Sequence, residues 1–319
     1  MTERPNDRAE TTAVVLRAPG DVGLDRVGLI GAGRDDVIVR VSHSGISSGT
    51  ERLLWSGDMP FFPGLSYPLV PGYEAVGQVE WKGDQAKIDL GDTVFVPGAR
   101  CHTNAAALFG ASSAHLVTPA DRIVRANTAW GGGATLLALA ATAYRAVTIA
   151  DAPELIVGHG VVGRLMARIC VGLGNAAPTV WERLPERRTG AIGYDVMAEA
   201  DDDRHDYRTV CDASGDNAIL DRLIERTAKG GTVVLAGFYA APLAFAFPPA
   251  FMRETSIRIA AEFTSSDIAS VIGLLDSGAL SLDGLVTHQF AATDAANAYA
   301  TAFGDPTCLK MILDWSDAR

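Results

Sequence analysis

The sequence predicts an α/β chain in which a doubly wound parallel sheet is joined to a second, β-rich domain. Three observations carry that expectation. The 319 residues exceed one domain at roughly 100 to 200 residues each. Residues 153–263 alternate short apolar runs (ELIVGHG, PTVWE, YRTVCDASG, GGTVVLAGF, SIRIAAEF) with the helical patterns VGRLMARICVGLG and AILDRLIERTA, and such alternation builds parallel sheets through helical crossovers. The first third instead holds β-branched runs, TTAVVLRA, DDVIVRVSHS, EAVGQVEWK and DTVFVPG, broken by Gly, Asp and Pro, as in a barrel-like or partly open sheet with long loops.

Between these two textures, GGGATLLALAATAYRAVTIA, starting at 131, is apolar on every side. That is the pattern of a buried helix, here a crossover from one domain to the other. The tail from about 285, VTHQFAATDAANAYATAF and CLKMILDW, mixes strand and helix again and is expected to return to the first domain. The domains so drawn are 1–128 with 285–319, and 129–284. The first ten residues, MTERPNDRAE, read as a loose polar tail without the apolar core of a signal peptide. No apolar run nears bilayer-spanning length, and there is no internal repeat.

A net charge of −11 with no Lys/Arg-rich run argues against nucleic acid and anionic membranes as partners, leaving a small molecule or another protein. The four cysteines, Cys101, Cys170, Cys211 and Cys308, are scattered without CxxC pairing, so neither a disulfide framework nor a four-thiolate zinc lobe is expected. A reducing cytoplasm fits.

The most informative motif is LIVGHGVVGRLMARICVGLG. Gly158, Gly160 and Gly163 form GxGxxG directly after an apolar strand and before an amphipathic helix, the Rossmann context that gives the pattern meaning. The glycines serve the turn, the approach to a pyrophosphate and helix–strand packing, while the first helical amides, at Val161 and Val162, face the phosphates. Taken alone, the motif is also a tight turn of small residues. The next strand ends in Glu182, 24 residues after Gly158, near the spacing of a ribose-binding acid. Its carboxylate favours NAD, whereas Arg183, Arg187 and Arg188 behind it offer an alternative clamp for the extra phosphate of NADP. Ser214 in DASGD and Gly237 in GFY follow later strands and are expected cofactor contacts at the carboxyl edge of the sheet.

This order of domains, with GIS then SGTE (45–51), YPLVPGYEAVG, LGDTVFV (90–96) and VGHGVVG, resembles the medium-chain dehydrogenase/reductase superfamily of the zinc alcohol dehydrogenase type over residues 12–315. The resemblance implies a GroES-like catalytic domain around a Rossmann domain, with NAD or NADP as cofactor, and pairing of two copies through SIRIAAEF. The stretches SGISSGTERLLWSGDMPFFPGLSYPLVPGYEAVG and GFYAAPLAFAFPPAFMRE are similar to the branch that oxidises the hydroxyethyl side chain of a bacteriochlorophyllide. A bacteriochlorophyllide-type alcohol is therefore the expected substrate and NAD the expected acceptor. A zinc-independent quinone or enone reductase and a non-catalytic dinucleotide-binding protein are the alternatives.

The chain departs from the superfamily at the metal. Zinc members carry cysteine and histidine where this sequence has Ser47 or Ser48 and Tyr73. The third ligand region, LLALAATAY (136–144), offers no Cys, Asp, Glu or His, and ARCHTNAAALFG (99–110) has one cysteine where the structural zinc lobe has four. A catalytic zinc needs three good protein ligands, and Glu74 alone does not supply them, so a metal-free enzyme is expected. Tyr73 then becomes the expected general base, its phenol lowered in pKa beside a cationic nicotinamide. The resemblance gives Thr50 as the relay hydroxyl; Ser48, in the loop of the missing cysteine, is a further candidate catalytic hydroxyl, its match there rather than that of Ser47 depending on a one-residue insertion; and His43 has a suitable intrinsic pKa for a terminal acceptor. Against these stand plainer roles: Tyr73 as filler of a lost ligand's volume, Thr50 as a helix cap, His43 as a packed strand residue. For the substrate, Trp55, Met59, Phe61, Phe62, Leu65 and Tyr67, with Phe238, Tyr239, Phe245, Phe247, Phe251 and Met252, suggest an apolar cleft for a planar macrocycle, and Arg52 or Arg253 a carboxylate partner. Any single aromatic among them is as well suited to the core.

Overall fold

The computed structural model describes residues 9–318, so the expected loose tail lies, but for its last two residues, outside the described residues. The chain forms two compact units, one running to Leu136 and resuming at Leu285, the other spanning Leu137–Gly284.

The first unit begins with β1 (Glu10–Ala18), β2 (Asp21–Gly28) and β3 (Asp36–Ile46), then helix α1 (Thr50–Ser56). It continues through β4 (Leu69–Pro71), β5 (Ala75–Lys82), β6 (Thr93–Val96), β7 (Ala106–Leu108), β8 (His115–Pro119) and β9 (Val124–Arg125). Strands β1, β3, β5 and β6 coincide with the β-branched runs of the sequence. The remaining strands are short, or, like DVGLDRVG of β2, too polar to show an apolar face. Partner strands hold them in place: β2 pairs with β1 from Glu10↔Gly28 to Ala18↔Asp21.

The second unit contains α2 (Leu137–Thr148), β10 (Leu155–Val157), α3 (Val161–Gly172), β11 (Thr179–Trp181), β12 (Asp195–Met197) and β13 (Tyr207–Asp212). It is completed by α4 (Leu220–Arg226), β14 (Thr227–Leu235), α5 (Phe247–Arg253), β15 (Ser256–Ile259) and α6 (Ser265–Asp276). The apolar crossover starts later than its composition suggests. Residues Thr128–Leu136 form 3-10 turns interrupted at Gly131, where φ is 50°, and the α-helix follows. All strands of this unit run parallel in the order β12-β11-β10-β13-β14-β15, the doubly wound arrangement in which the chain reverses direction across the sheet at its first strand. The terminal strand, β15, is exposed along its length.

The chain then returns to the first unit through β16 (His288–Ala291), α7 (Ala295–Gly304) and β17 (Met311–Asp314). Strand β17 joins the sheet β16-β17-β3-β5-β6-β9, antiparallel to β3 from Met311↔Ile46 to Asp314↔His43. Trp315 closes this seam: it is buried, and its indole N–H donates to Ser44 Oγ at 2.9 Å. Because a buried tryptophan leaves a large cavity on truncation, Trp315→Ala should cost about 3–5 kcal/mol, read as a lower urea midpoint.

Candidate active site

Strand β10 ends at Val157 and α3 begins at Val161, so Gly158, His159 and Gly160 make the whole turn. Gly158 has φ +96°, a conformation open to glycine and costly for other residues. A Cβ on Gly163 would lie 1.8 Å from the Gly158 carbonyl oxygen, whereas one on Gly160 would meet nothing within 4 Å. The loop is thus tight where helix and strand meet and open above Gly160. No side chain caps the helix there, which leaves the amides at Val161 and Val162 without a side-chain acceptor. These features fit a pyrophosphate.

Glu182 follows β11 and is buried. Its Oε2 accepts the His159 amide at 2.9 Å and its Oε1 the Leu184 amide at 2.8 Å. The 24-residue spacing is therefore a direct contact between the acid and the glycine loop, and each carboxylate oxygen keeps a second lone pair. Arg188 is committed to the loop itself, donating to the carbonyls of Glu182 and Arg183, and Arg183 is exposed. The His159 ring is held between the Arg187 carbonyl at 2.7 Å and Tyr194 Oη at 2.8 Å.

The loops after β13 and β14 meet this one. A Cβ on Gly158 would be 3.1 Å from the Ser214 amide, and one on Gly237 would be 3.0 Å from that of Gly215. Ser214 donates to Asp212 Oδ1 through its amide (3.0 Å) and hydroxyl (2.6 Å), while Tyr239 donates its phenol to Oδ2 of the same carboxylate. Tyr239, expected as a substrate contact, has its polar end tied to Asp212. Its ring packs on the core of this unit.

In the first unit the turn between β3 and α1 faces the loop between β4 and β5. Tyr73 Oη donates to Ser47 Oγ at 2.9 Å, and Thr50 Oγ1 donates to Ser47 Oγ at 3.0 Å and to Tyr73 Oη at 3.5 Å. Of the two candidate serines it is Ser47, buried, that enters the cluster. Ser48, the expected catalytic serine, is exposed in the turn ahead of the helix. Thr50 is not a cap: the N-cap is Gly49 and no side-chain hydrogen bond is made there. The expected lowering of the Tyr73 pKa is absent in the protein by itself. Burial, and then the adjacent Glu74 charge, push the phenol up, against the smaller effects of Ser47 and Thr50. His43 bonds Ser42 Oγ through Nδ1 at 3.2 Å, and burial lowers its pKa against the pull of Asp314.

Three residues not anticipated from the sequence complete the cluster. Lys310, just before β17, is buried; its ammonium pairs with Glu74 Oε2 and donates to the Ile46 carbonyl at 2.9 Å. Gly45 makes room for this pair, since a Cβ there would lie 2.1 Å from Glu74 Oε2. Burial pushes the Glu74 carboxyl up and Lys310 draws it back, while its Oε1 is buried without a partner. Glu51, also buried, accepts the Ser47 amide at 3.2 Å and the Tyr299 phenol at 2.5 Å. Burial pushes its carboxyl from 4.5 up to about 7; Glu74 adds to the rise, and Tyr299, Lys310 and the Ser47 amide oppose it. One signal for Lys310 was available: a single lysine inside the apolar run CLKMILDW implies a buried counter-charge. Glu51 reads from sequence as an ordinary first-turn acid, and nothing marked Tyr299.

The donor set does not fit zinc. Serine and tyrosine occupy two positions where the superfamily has ligands, and no group of three or more His, Cys, Asp or Glu among the described residues is placed to hold a metal ion. Of the expected substrate contacts, Trp55, Phe62 and Tyr67 pack on the core of the first unit, with Trp55 against Phe303 (5.5 Å) and Tyr67 donating to the Leu54 carbonyl at 2.5 Å. Phe62 and Tyr73 both pack edge-on against Phe109, which couples the aromatic loop to the cluster. Phe61 is 95% exposed, and Phe238 is exposed as well. Arg253 donates to the Thr227 carbonyl, and Arg52 is exposed.

Residues 33–151 match the family described as the alcohol dehydrogenase GroES-like domain. Over 313 residues the chain is 50% identical to the 2-desacetyl-2-hydroxyethyl bacteriochlorophyllide A dehydrogenase of Rhodobacter capsulatus, covering 97% of this chain and all of the relative. It is 52% identical to the protein of the same description from Cereibacter sphaeroides, over 96% of this chain and 98% of that one. An alcohol dehydrogenase from E. coli CFT073, solved with NADH, superposes with a TM-score of 0.82 at 19% identity, covering 96% of this chain and 100% of that one.

Two outcomes follow from the buried charges. Lys310→Met should destabilise by about 3–5 kcal/mol through an uncompensated buried carboxylate, and Glu74→Gln in the same protein should recover part of the loss; urea midpoints of the three proteins check both. The raised Glu51 carboxyl holds its proton in the folded state between about pH 4.5 and 7, where the unfolded chain has released it. Its contribution is therefore complete below pH 4.5 and lost as pH rises through 7, on the order of 1 to 3 kcal/mol. The stability of the native protein relative to Glu51→Gln should fall across that window.

Proposed function

This chain belongs to the family of the 2-desacetyl-2-hydroxyethyl bacteriochlorophyllide A dehydrogenases, within the GroES-like alcohol dehydrogenases, and we propose that it oxidises the hydroxyethyl side chain of a bacteriochlorophyllide to an acetyl group with NAD. The observation that supports this most is identity of 50% and 52% along nearly the whole chain to two proteins of that description. When bound, NAD supplies the hydride acceptor.

The protein's own work is to bind, orient and deprotonate. The glycine turn with Val161 and Val162 holds the pyrophosphate, Glu182 takes the ribose hydroxyls through its remaining lone pairs, and Ser214 and Gly237 border the cofactor. A carboxylate already tied to the glycine loop also disfavours the extra phosphate of NADP, in support of NAD. In the first unit, Tyr73 and Thr50 are the partly accessible hydroxyls of the cluster and accept the substrate's hydroxyl as a hydrogen-bond partner. No metal enters this reading, because the residues at the ligand positions are poor zinc donors. Exposed β15 at the end of its sheet is the surface for a second copy.

Anaerobic incubation with NAD and hydroxyethyl bacteriochlorophyllide should give NADH together with a red shift of the pigment as a ketone joins its conjugation. No turnover with tight NAD binding would indicate a binding protein, and preference for NADPH with an enone would indicate a reductase. Tyr73→Phe should lower kcat by about 100-fold or more; full turnover with an unchanged pH profile would remove Tyr73 from the chemistry.

A further inference from the structure

The hydroxyl cluster has a direction. Tyr73 and Thr50 keep part of their surface accessible, whereas Ser47 and Glu51 are buried behind them. Ser47 Oγ accepts hydrogen bonds from both Tyr73 and Thr50, so its own hydrogen is directed away from those two. The carboxylate of Glu51 is already bound to the amide of the same serine, with Oε1 at 3.2 Å. Ser47 thus touches the two hydroxyls through its Oγ and the carboxylate through its amide. We propose that Glu51 is the proton acceptor for the alcohol oxidation, reached from the substrate through Tyr73 and Ser47.

The proposal rests on the alcohol oxidation proposed above, and the step balances. As the carbinol C–H leaves with its electron pair for the nicotinamide, the carbinol O–H proton passes to Tyr73 Oη, the Tyr73 proton to Ser47 Oγ and the Ser47 proton to Glu51 Oε1. The C=O bond forms, Tyr73 and Ser47 end as they began, and Glu51 ends protonated, to be discharged to solvent before the next turnover. Tyr73 never ionises, so its raised pKa is no obstacle. Glu74 is the other carboxylate nearby, but its charge is engaged by Lys310. His43 is turned to Ser42.

Glu51 is faced by Ser47 from the turn after β3, by Tyr73 and Glu74 from the loop before β5, by Tyr299 from α7 and by Lys310 from the segment before β17. Among these, the Tyr299 phenol donates to the carboxylate and so favours its ionised form. Glu51→Gln keeps one hydrogen bond to each neighbour, its amide oxygen accepting the Ser47 N–H and its NH2 donating to Tyr299 Oη, although the Tyr299 O–H gives up its carboxylate acceptor.

The test is the pH dependence of kcat for native protein, Glu51→Gln and Tyr299→Phe with NAD and hydroxyethyl bacteriochlorophyllide. The native rate should rise with pH through one group near pH 7. In Glu51→Gln that limb should vanish and the rate above neutrality should fall by about 100-fold or more. In Tyr299→Phe the limb should move to higher pH, since the carboxylate loses a donor. A native limb retained in Glu51→Gln at native rates, or left in place by Tyr299→Phe, would overturn the proton route while leaving the oxidation intact. A native protein that binds NAD but does not turn over would instead overturn the oxidation itself, and the route with it. Infrared difference spectra give a readout apart from turnover: a protonated carboxyl band lost on raising the pH through neutrality should be present in native protein and missing from Glu51→Gln, and its presence in both would count against Glu51.

Discussion

Two opposite charges, buried together, constrain most of what surrounds Tyr73. Glu74 and Lys310 lie 236 residues apart in the chain, and removing each from water costs several kcal/mol unless the partner is well placed. Lys310 can reach Glu74 only if β17 lies beside β3, and Glu74 can sit there only because Gly45 offers no Cβ. The same lysine holds the Ile46 carbonyl at the end of β3, one residue before Ser47. The C-terminal return thus fixes the turn that carries the hydroxyls, in addition to completing a sheet.

That pairing also leaves a deficit. Two carboxylates, Glu51 and Glu74, are buried near one cation, and Lys310 can compensate only one of them fully. Glu74 has the short contact, so Glu51 is left to burial and to the repulsion of its neighbour, relieved in part by the Tyr299 phenol and the Ser47 amide. A carboxyl poised between its two forms near neutral pH is the result. The cluster is neutral where it is accessible and titratable where it is buried.

The parts of this protein that were legible in the sequence are those governed by local sterics. GxGxxG between an apolar strand and a helix announced its turn, because Gly158 and Gly163 occupy places that a Cβ would fill, and Glu182 could be found by counting from it. Strand and helix alternation gave the second unit, and the β-branched runs gave the longer strands of the first. The short strands β4, β7 and β12 lack the neighbouring helix or glycine motif that marks the equally short β10 and β11, and β2 is defined by its partner. The surroundings of the two buried carboxyls depend on contacts between residues 236 and 248 positions apart, which no local pattern encodes. The choice of Ser48 over Ser47 turned on a one-residue insertion, resolved only by which hydroxyl the fold turns inward. The first aromatic loop reads two ways for a related reason: Trp55, Phe62 and Tyr67 pack in part against the core, and composition alone does not separate such packing from a binding surface.

The donor set also constrains how an alcohol can be oxidised here. A metal ion lowers the pKa of a bound alcohol through its own charge, so that an alkoxide can form before hydride leaves. Hydroxyl groups such as Tyr73, Thr50 and Ser47 bring no net charge to the substrate oxygen, and the buried Lys310 is spent on Glu74. An alkoxide beside Tyr73 would also meet the same burial and the same Glu74 repulsion that push the phenol itself up. Under the proposed oxidation, loss of the proton therefore has to accompany hydride transfer, with the displaced charge ending on a group of the protein already close to its ionisation point. The buried carboxyl behind Ser47 meets that requirement, and an exposed base in its place would be separated from Tyr73 by the serine that Tyr73 already bonds.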